Sequence, residues 1–279
     1  MKNKLYDCFI FNNETDLLEI RLNILNNYVD YFIIIESEET FTGLKKKLVF
    51  DIKNYPKFKE KIIYGVINKF PENFSSAWQN ESFQRNYILN LLDNANSEDF
   101  IMISDLDEIP NLENINLLDY DEKLIVFEQR LFLYKINYGE IKPSWHGTKC
   151  IKKINLTTPQ HVRNLKTHKR YNFFRLDKKF FSKTYEDSFK VIKNGGWHFS
   201  WLGNTDFIKQ KLESFSHTEM NTVFINNDDH IEQCIKNLKP LETNQKIDIK
   251  KLPIDSDYLP KYILDNLSKY KSLIDNGEM

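Results

Sequence analysis

Four short apolar runs, spaced along the first third of the chain, constrain the fold more than any other feature. Leu5 to Phe11, Tyr31 to Ile35, Lys61 to Ile67 and Glu98 to Ser104 are rich in β-branched and aromatic residues and too short for core helices. Runs this apolar read as strands buried on both faces. After the first, Thr15 is placed to cap a helix with Asp16 in its opening turn, and Leu18, Leu22, Leu25 and Val29 recur at helical spacing. Trp78 to Asn94 reads as a second helix, ahead of the fourth run. Strands alternating with helices predict an α/β fold with a mostly parallel central sheet covered on both faces.

Beyond residue 122 the pattern changes. Leu124 to Tyr138 is long, aromatic and mixed in period. Asn164 to Phe181 is basic and aromatic and reads as a loop or edge strand with a solvated face. Phe189 to Ile192 and His198 to Leu202 read as strands around a Gly195-Gly196 turn. From Thr205 onward the spacing is helical, and Leu259 to Ile274 places Pro260 near a first helical turn. With no repeat and no low-complexity linker, the expectation is one domain, 1–279, with halves at about 1–122 and 123–279 and helices at the C-terminal end.

Charge and composition remove several classes of function. Lys plus Arg is 39 and Asp plus Glu 40, a net charge of -1, which argues against broad binding to a nucleic-acid backbone. Only 8 residues are Gly, and neither G-x-G-x-x-G nor G-x-x-x-x-G-K-[ST] occurs, so dinucleotide-binding and P-loop enzymes lose their main support. Cys8, Cys150 and Cys234 are odd in number and far apart, which fits neither a disulfide framework nor a structural zinc site. No apolar run approaches the roughly 18 residues of a membrane helix. The first apolar stretch is too short for a signal peptide. The expectation is a cytoplasmic protein without a transmembrane segment.

The sharpest motif is Ile101-Met102-Ile103-Ser104-Asp105-Leu106-Asp107-Glu108-Ile109-Pro110, an apolar strand that stops at three carboxylates. Ligands of open α/β sheets bind outside the carboxyl ends of strands. In extended chain Asp105 and Asp107 point the same way. Two such carboxylates repel unless a cation lies between them, and Mg²⁺ or Mn²⁺ bridging to a diphosphate is the natural occupant. The same residues also read as an acidic turn.

Three further groups stand out. Gly195-Gly196-Trp197-His198-Phe199-Ser200-Trp201-Leu202-Gly203 holds two of the four tryptophans. The rings of Trp197 and Trp201 suit packing on a sugar or nucleobase, and His198 could complete a metal site begun by Asp105 and Asp107. An aromatic core with a hydrogen-bonded histidine fits equally. Trp78, Glu81 and Arg85 share a helix face, with Arg85 able to pair with a phosphate or with an acid of the Asp105 turn. Asn12 and Glu14 close the first strand, where they could hold a nucleoside or form a plain turn.

These words in this order resemble glycosyltransferase family seventeen: YDCFIFNNETDLLEIRLN at 6–23, VDYFIIIES at 29–37, the tryptophan–arginine helix, ISDLDEIP at 103–110, GGWHFSWLG at 195–203 and LPKYILDN at 259–266. The resemblance spans most of the chain and implies a GT-A-like fold, a Rossmann-type nucleotide-sugar domain, with the first half binding donor and the second carrying acceptor contacts. It implies a metal-dependent inverting transfer from a UDP-sugar donor, UDP-N-acetylglucosamine, to a glycan, glycolipid or polysaccharide acceptor. By the same resemblance Asp107 binds Mn²⁺ or another divalent ion, Asp105 faces the ribose or the metal, and His198 matches the late-chain metal histidine. Asn12, Glu14 and Glu36 would position the nucleotide. Glu219 is the nominee for general base, with Asp187 and Glu108 as alternatives. Two other readings of the residues stay open: a metal-dependent phosphoester hydrolase or nucleotidyltransferase built on Asp105 and Asp107, and a non-catalytic carbohydrate-binding protein built on Trp197 and Trp201.

Overall fold

The computed structural model describes residues 3–166, 188–242 and 247–277. Its elements in chain order are β1 (Leu5–Phe11), α1 (Thr15–Leu25), β2 (Tyr31–Ser37), β3 (Ile62–Ile67), α2 (Ala77–Asn86), β4 (Phe100–Asp105), β5 (Glu108–Pro110), β6 (Leu124–Leu133), β7 (Tyr138–Glu140), β8 (Trp145–Lys152), α3 (Pro159–Asn164), β9 (Phe189–Ile192), β10 (Gly196–Ser200), α4 (Thr205–Ser214), α5 (Asp228–Lys236), β11 (Ile249–Lys251) and α6 (Lys261–Asp265). The fold is mixed α/β around one large sheet, as the apolar runs anticipate. Its main path runs β11-β7-β6-β8-β4-β1-β2-β3. The four strands expected from the apolar runs, β3-β2-β1-β4, are all parallel. Strand β8 then joins β4 antiparallel, and β6 pairs in parallel with both β9 and β10.

The period of two along the strands divides the core into two layers. Phe9, Phe32, Ile34 and Met102 pack under α1 and the C-terminal residues Leu259, Ile263 and Tyr270. Cys8, Ile33, Ile35, Ile101 and Ile103 face the other way, toward Ile88, Leu92 and Val162. Both layers are buried, which is why these strands carry almost no polar residue. A third cluster joins Leu131, Leu133 and Tyr134 to Ile208 and Leu212 of α4 and Ile231 of α5. All three cysteines are buried and free. Among the described residues no helix is long and apolar enough to cross a membrane.

Several element boundaries differ from the sequence expectation. Thr15 is the first helical residue of α1 rather than its cap; the capping position falls on Glu14, which makes no side-chain cap bond. The helix expected to reach Asn94 stops at Asn86 and tightens into a 3-10 turn, Tyr87–Leu91. That tightening seats Leu91 and Tyr87 against Gly65 of β3, where a side chain would collide with Leu91 at 2.8 Å. The C-terminal segment forms only the short α6 and a 3-10 turn at Lys271–Leu273. Most of the basic aromatic stretch, and Asp187, lie outside the described residues.

Candidate active site

Strand β4 delivers Asp105 to the carboxyl edge of the parallel strands, and the two-residue turn Leu106-Asp107 leads into β5. Arg21 of α1 holds this turn from beneath. Its guanidinium is fully buried and doubly bonded to Asp7, Nε to Oδ2 at 2.8 Å and Nη2 to Oδ1 at 2.6 Å. It also donates to the carbonyls of Asp105, Leu106 and Glu108 at 2.9, 3.0 and 2.9 Å and to Ser104 Oγ at 2.6 Å. A planar fork with five donors can serve a carboxylate and a tight turn at once, which an ammonium cannot.

Strand β10 lies antiparallel on β5, with His198 opposite Glu108 and Trp197 opposite Ile109. The amide of Phe199 donates to the Asp107 carbonyl at 2.8 Å. The approach needs a glycine at its start. Gly196 has φ +138°, and a Cβ there would lie 2.2 Å from the Ile109 carbonyl oxygen. This pairing, between residues 91 positions apart, brings His198 Nε2 within 3.6 Å of Asp107 Oδ1. His198 also packs on the Trp145 ring, centroids 4.7 Å apart, and its Nδ1 is buried without a hydrogen-bond partner among the described residues.

The second oxygen of Asp107 faces Lys211 of α4, Nζ at 3.3 Å, and the same ammonium lies 3.5 Å from Glu14 Oε1. Burial alone would push the Lys211 ammonium down, but Asp107 and then Glu14 outweigh it and raise it. Two carboxylates here share one ammonium. Asp107 and His198 stand close enough to reach one ion at roughly 2.1 Å from each. Among the described residues no third His, Cys, Asp or Glu joins them in a ligand cluster. Asp107 and His198 are the residues that would hold a divalent cation such as Mg²⁺ or Mn²⁺ here.

Asp105 takes other partners. Residues 106 and 107 turn instead of extending, so the extended-chain alignment of the two aspartates does not apply, although both line the same cavity. Arg85 Nη2 donates to Asp105 Oδ1 at 2.7 Å and Arg163 Nη2 to Oδ2 at 2.8 Å. Burial alone would raise the Asp105 carboxyl; Arg163 and Arg85 outweigh it and hold it well below the usual carboxylate range. Arg85 is itself buried and also bonds Glu81 at 2.7 Å and Gln160, so of its two expected partners it takes the acid of the turn. Glu108, an alternative base, is fully buried; it accepts from Trp145 Nε1 at 2.7 Å, Arg163 at 2.6 Å and the Asp105 amide at 3.1 Å. Those bonds tie it to structure and away from proton transfer.

Asp105, Asp107, His198, Arg85, Arg163 and Lys211 line one cavity of about 550 Å³, which also receives Asn12 and Glu14 from the end of β1 and Trp201, whereas Glu108 does not line it. Three expected site residues lie off its wall. Glu36 is fully buried and clamps the loop after β2, accepting from Lys46 Nζ at 2.7 Å, Tyr64 Oη at 2.8 Å and the amides of Val49 and Phe50; its partner Lys46 lines the cavity. Trp197 alternates with His198 along β10, so it faces the opposite layer and donates to the Tyr258 carbonyl at 2.8 Å. Trp201 does reach the cavity, because the strand ends at Ser200 and Trp201 turns back with φ 56°. Glu219 is exposed, with Oε1 2.7 Å from Nδ1 of the cavity-lining His217. The Trp78 indole packs edge-on against His217 at 4.4 Å, and Phe215 joins His217 to Trp201, centroids 5.5 and 5.3 Å away.

Arg21, Arg163 and Lys211 were not among the expected site residues. Arg21 carried a signal, an arginine inside the apolar face Leu18, Leu22, Leu25. Lys211 carried a weaker one, beside the buried Leu212 of α4.

The Glycosyltransferase family 17 profile matches residues 1–278. The chain is 23% identical to the human beta-1,4-mannosyl-glycoprotein 4-beta-N-acetylglucosaminyltransferase, over 95% of this chain and 54% of that protein. The rat protein of the same name is also 23% identical, over 95% and 53%. The chain thus spans about half the length of these relatives. A solved structure of a glycosyltransferase involved in the glycosylation of the major capsid of PBCV-1 is similar with a TM-score of 0.34 and 14% identity, over 68% of this chain and 82% of that one. Matched along nearly its whole length, the chain belongs to glycosyltransferase family 17.

Proposed function

We propose that the chain transfers N-acetylglucosamine, with inversion, from UDP-N-acetylglucosamine to a hydroxyl of a glycan, glycolipid or polysaccharide, with Mn²⁺ or Mg²⁺. The observation that carries this reading is the Asp107–His198 pair, 3.6 Å apart, in a cavity at the carboxyl edge of four parallel strands. The sugar follows from the names of the relatives and the cation from the donor set. Held by Asp107 and His198, the ion would neutralise charge on the departing diphosphate.

The chain's own residues supply the rest. Asn12 and Glu14 position the nucleotide at the end of β1. Asp105, kept ionised by Arg85 and Arg163, accepts from a ribose hydroxyl. Trp78, His217, Phe215 and Trp201 form an aromatic wall on which the acceptor sugar packs. His217 takes the proton from the attacking hydroxyl, and Glu219, bonded to its Nδ1, holds the imidazole in place. Glu219 then acts through His217 rather than on the hydroxyl itself. A glycan on the Asn13 sequon, between two cavity-lining residues, would obstruct the donor, which supports action in the cytoplasm.

A donor screen tests the reading. With Mn²⁺ and mixed glycan acceptors, UDP-N-acetylglucosamine releases UDP and adds one sugar by mass spectrometry. A chain that turns over no UDP-sugar with any divalent ion contradicts it.

A further inference from the structure

We infer that Lys211 is a tethered cation for the donor's diphosphate, resting on Asp107 and Glu14 until donor arrives; this builds on the donor reading above. Among the described residues four Lys or Arg side chains line the cavity: Lys46, Arg85, Arg163 and Lys211. Three are committed by short ion pairs. Lys46 is 2.7 Å from Glu36, Arg85 is 2.7 Å from both Glu81 and Asp105, and Arg163 is 2.6 Å from Glu108 and 2.8 Å from Asp105. Charge-assisted bonds of this kind cluster near 2.7–2.9 Å. Lys211 departs from that pattern, with its two carboxylates at 3.3 and 3.5 Å. Its ammonium has three donors and is shared loosely between two acceptors.

The mounting suits a group that moves at its tip only. Asn204 caps α4 by accepting from the Phe207 amide at 3.0 Å, and Ile208 and Leu212 bury one side of the helix. The four-carbon stem runs past Trp201, with Nζ 5.7 Å from the ring centroid. At rest the ammonium covers Asp107 Oδ2 and leaves Oδ1 toward His198. Asp107 therefore cannot offer both oxygens to an ion while Lys211 stays. An incoming diphosphate draws the ammonium off and opens the carboxylate to the ion. Metal and donor then bind together, each tightening the other.

Calorimetry with UDP alone, Mn²⁺ alone and both together tests this in wild type, Lys211→Met, Lys211→Arg and Lys209→Met. Lys209 lies on the same helix but pairs with Asp228 at the surface, so Lys209→Met behaves as wild type. In Lys211→Met, Mn²⁺ alone binds about tenfold tighter and UDP alone about tenfold weaker, while Lys211→Arg keeps UDP affinity within about threefold. In wild type, UDP tightens Mn²⁺ by about tenfold or more, a measurement that stands even if Lys211→Met does not fold. Wild-type affinities for both ligands in Lys211→Met, or Mn²⁺ binding in wild type indifferent to UDP, overturn the assignment. Wild type that binds no UDP, with or without ions, overturns the donor reading itself; UDP binding unchanged in Lys211→Met removes only the lysine's role.

Discussion

Arg21 and Asp7 form a fully buried, two-bond ion pair beneath the candidate metal turn, and the same guanidinium binds three consecutive-region carbonyls at 105, 106 and 108. The pair joins β1, α1 and the β4–β5 turn at one point. Asp107 is thereby placed by a residue 86 positions away that never touches its side chain.

Removing one partner leaves the other charged in an apolar interior. Arg21→Met is expected to lower unfolding free energy by about 3–5 kcal/mol, read from urea titration. Asp7→Asn costs less than the sum would suggest when combined with Arg21→Met, because both act on one network. A loss below about 1 kcal/mol for Arg21→Met contradicts this role.

Lys149 gives a pH signature. It is buried on β8 and donates to the carbonyls of Arg163 and Leu165 at 2.6 and 2.7 Å, holding the end of α3 and thus Arg163. Burial, then Arg163, pushes its ammonium down to about 8, against the pull of Glu108 and Asp105. An unfolded lysine titrates near 10.4. Between these values the unfolded chain binds a proton that the folded chain has released, so this group's contribution to stability rises with pH. Wild type should gain stability relative to Lys149→Met from pH 8 to pH 10. A difference that is flat or shrinks over that window contradicts the shift.

The parallel half of the fold was legible because its strands are buried on both faces, which leaves unbroken apolar runs in the chain. Asp107 and His198 were legible as candidates because each sits where a strand meets acid or glycine. Their companions were hidden for distinct reasons. Asp105 depended on whether residues 106 and 107 extend or turn, and Arg21 decides that from another element. Trp197 and Trp201 share the same parity along β10, and only the end of the strand at Ser200 and one positive φ at Trp201 separate them. Glu36 ends a strand like a ligand-binding residue, yet its oxygens are filled by the loop at 46–50. Arg163 belongs to a six-residue helix too short to show a period.

The His217–Glu219 pair separates two roles for the acid. His217→Ala should reduce kcat for transfer by about 100-fold or more, since general-base catalysis contributes roughly 10²–10⁴. Glu219→Gln, which loses the charge but keeps a hydrogen-bonding oxygen, should reduce it less, by about tenfold, with UDP affinity unchanged in both. Equal loss in the two variants would place the proton on Glu219 itself, and no loss in either removes the pair from the reaction.

In the proposed reaction Asp107 and His198 hold one ion for the donor. UDP affinity in saturating Mn²⁺, measured for wild type, Asp107→Asn, His198→Ala and the double variant, tests it most directly. Asp107→Asn should weaken UDP by about 100-fold and His198→Ala by about tenfold, with melting temperatures showing that all four chains fold. Acting as a unit, the two should not multiply, and the double variant should bind UDP no worse than Asp107→Asn. Wild-type UDP affinity in Asp107→Asn, or losses that multiply in the double variant, would contradict a shared ion.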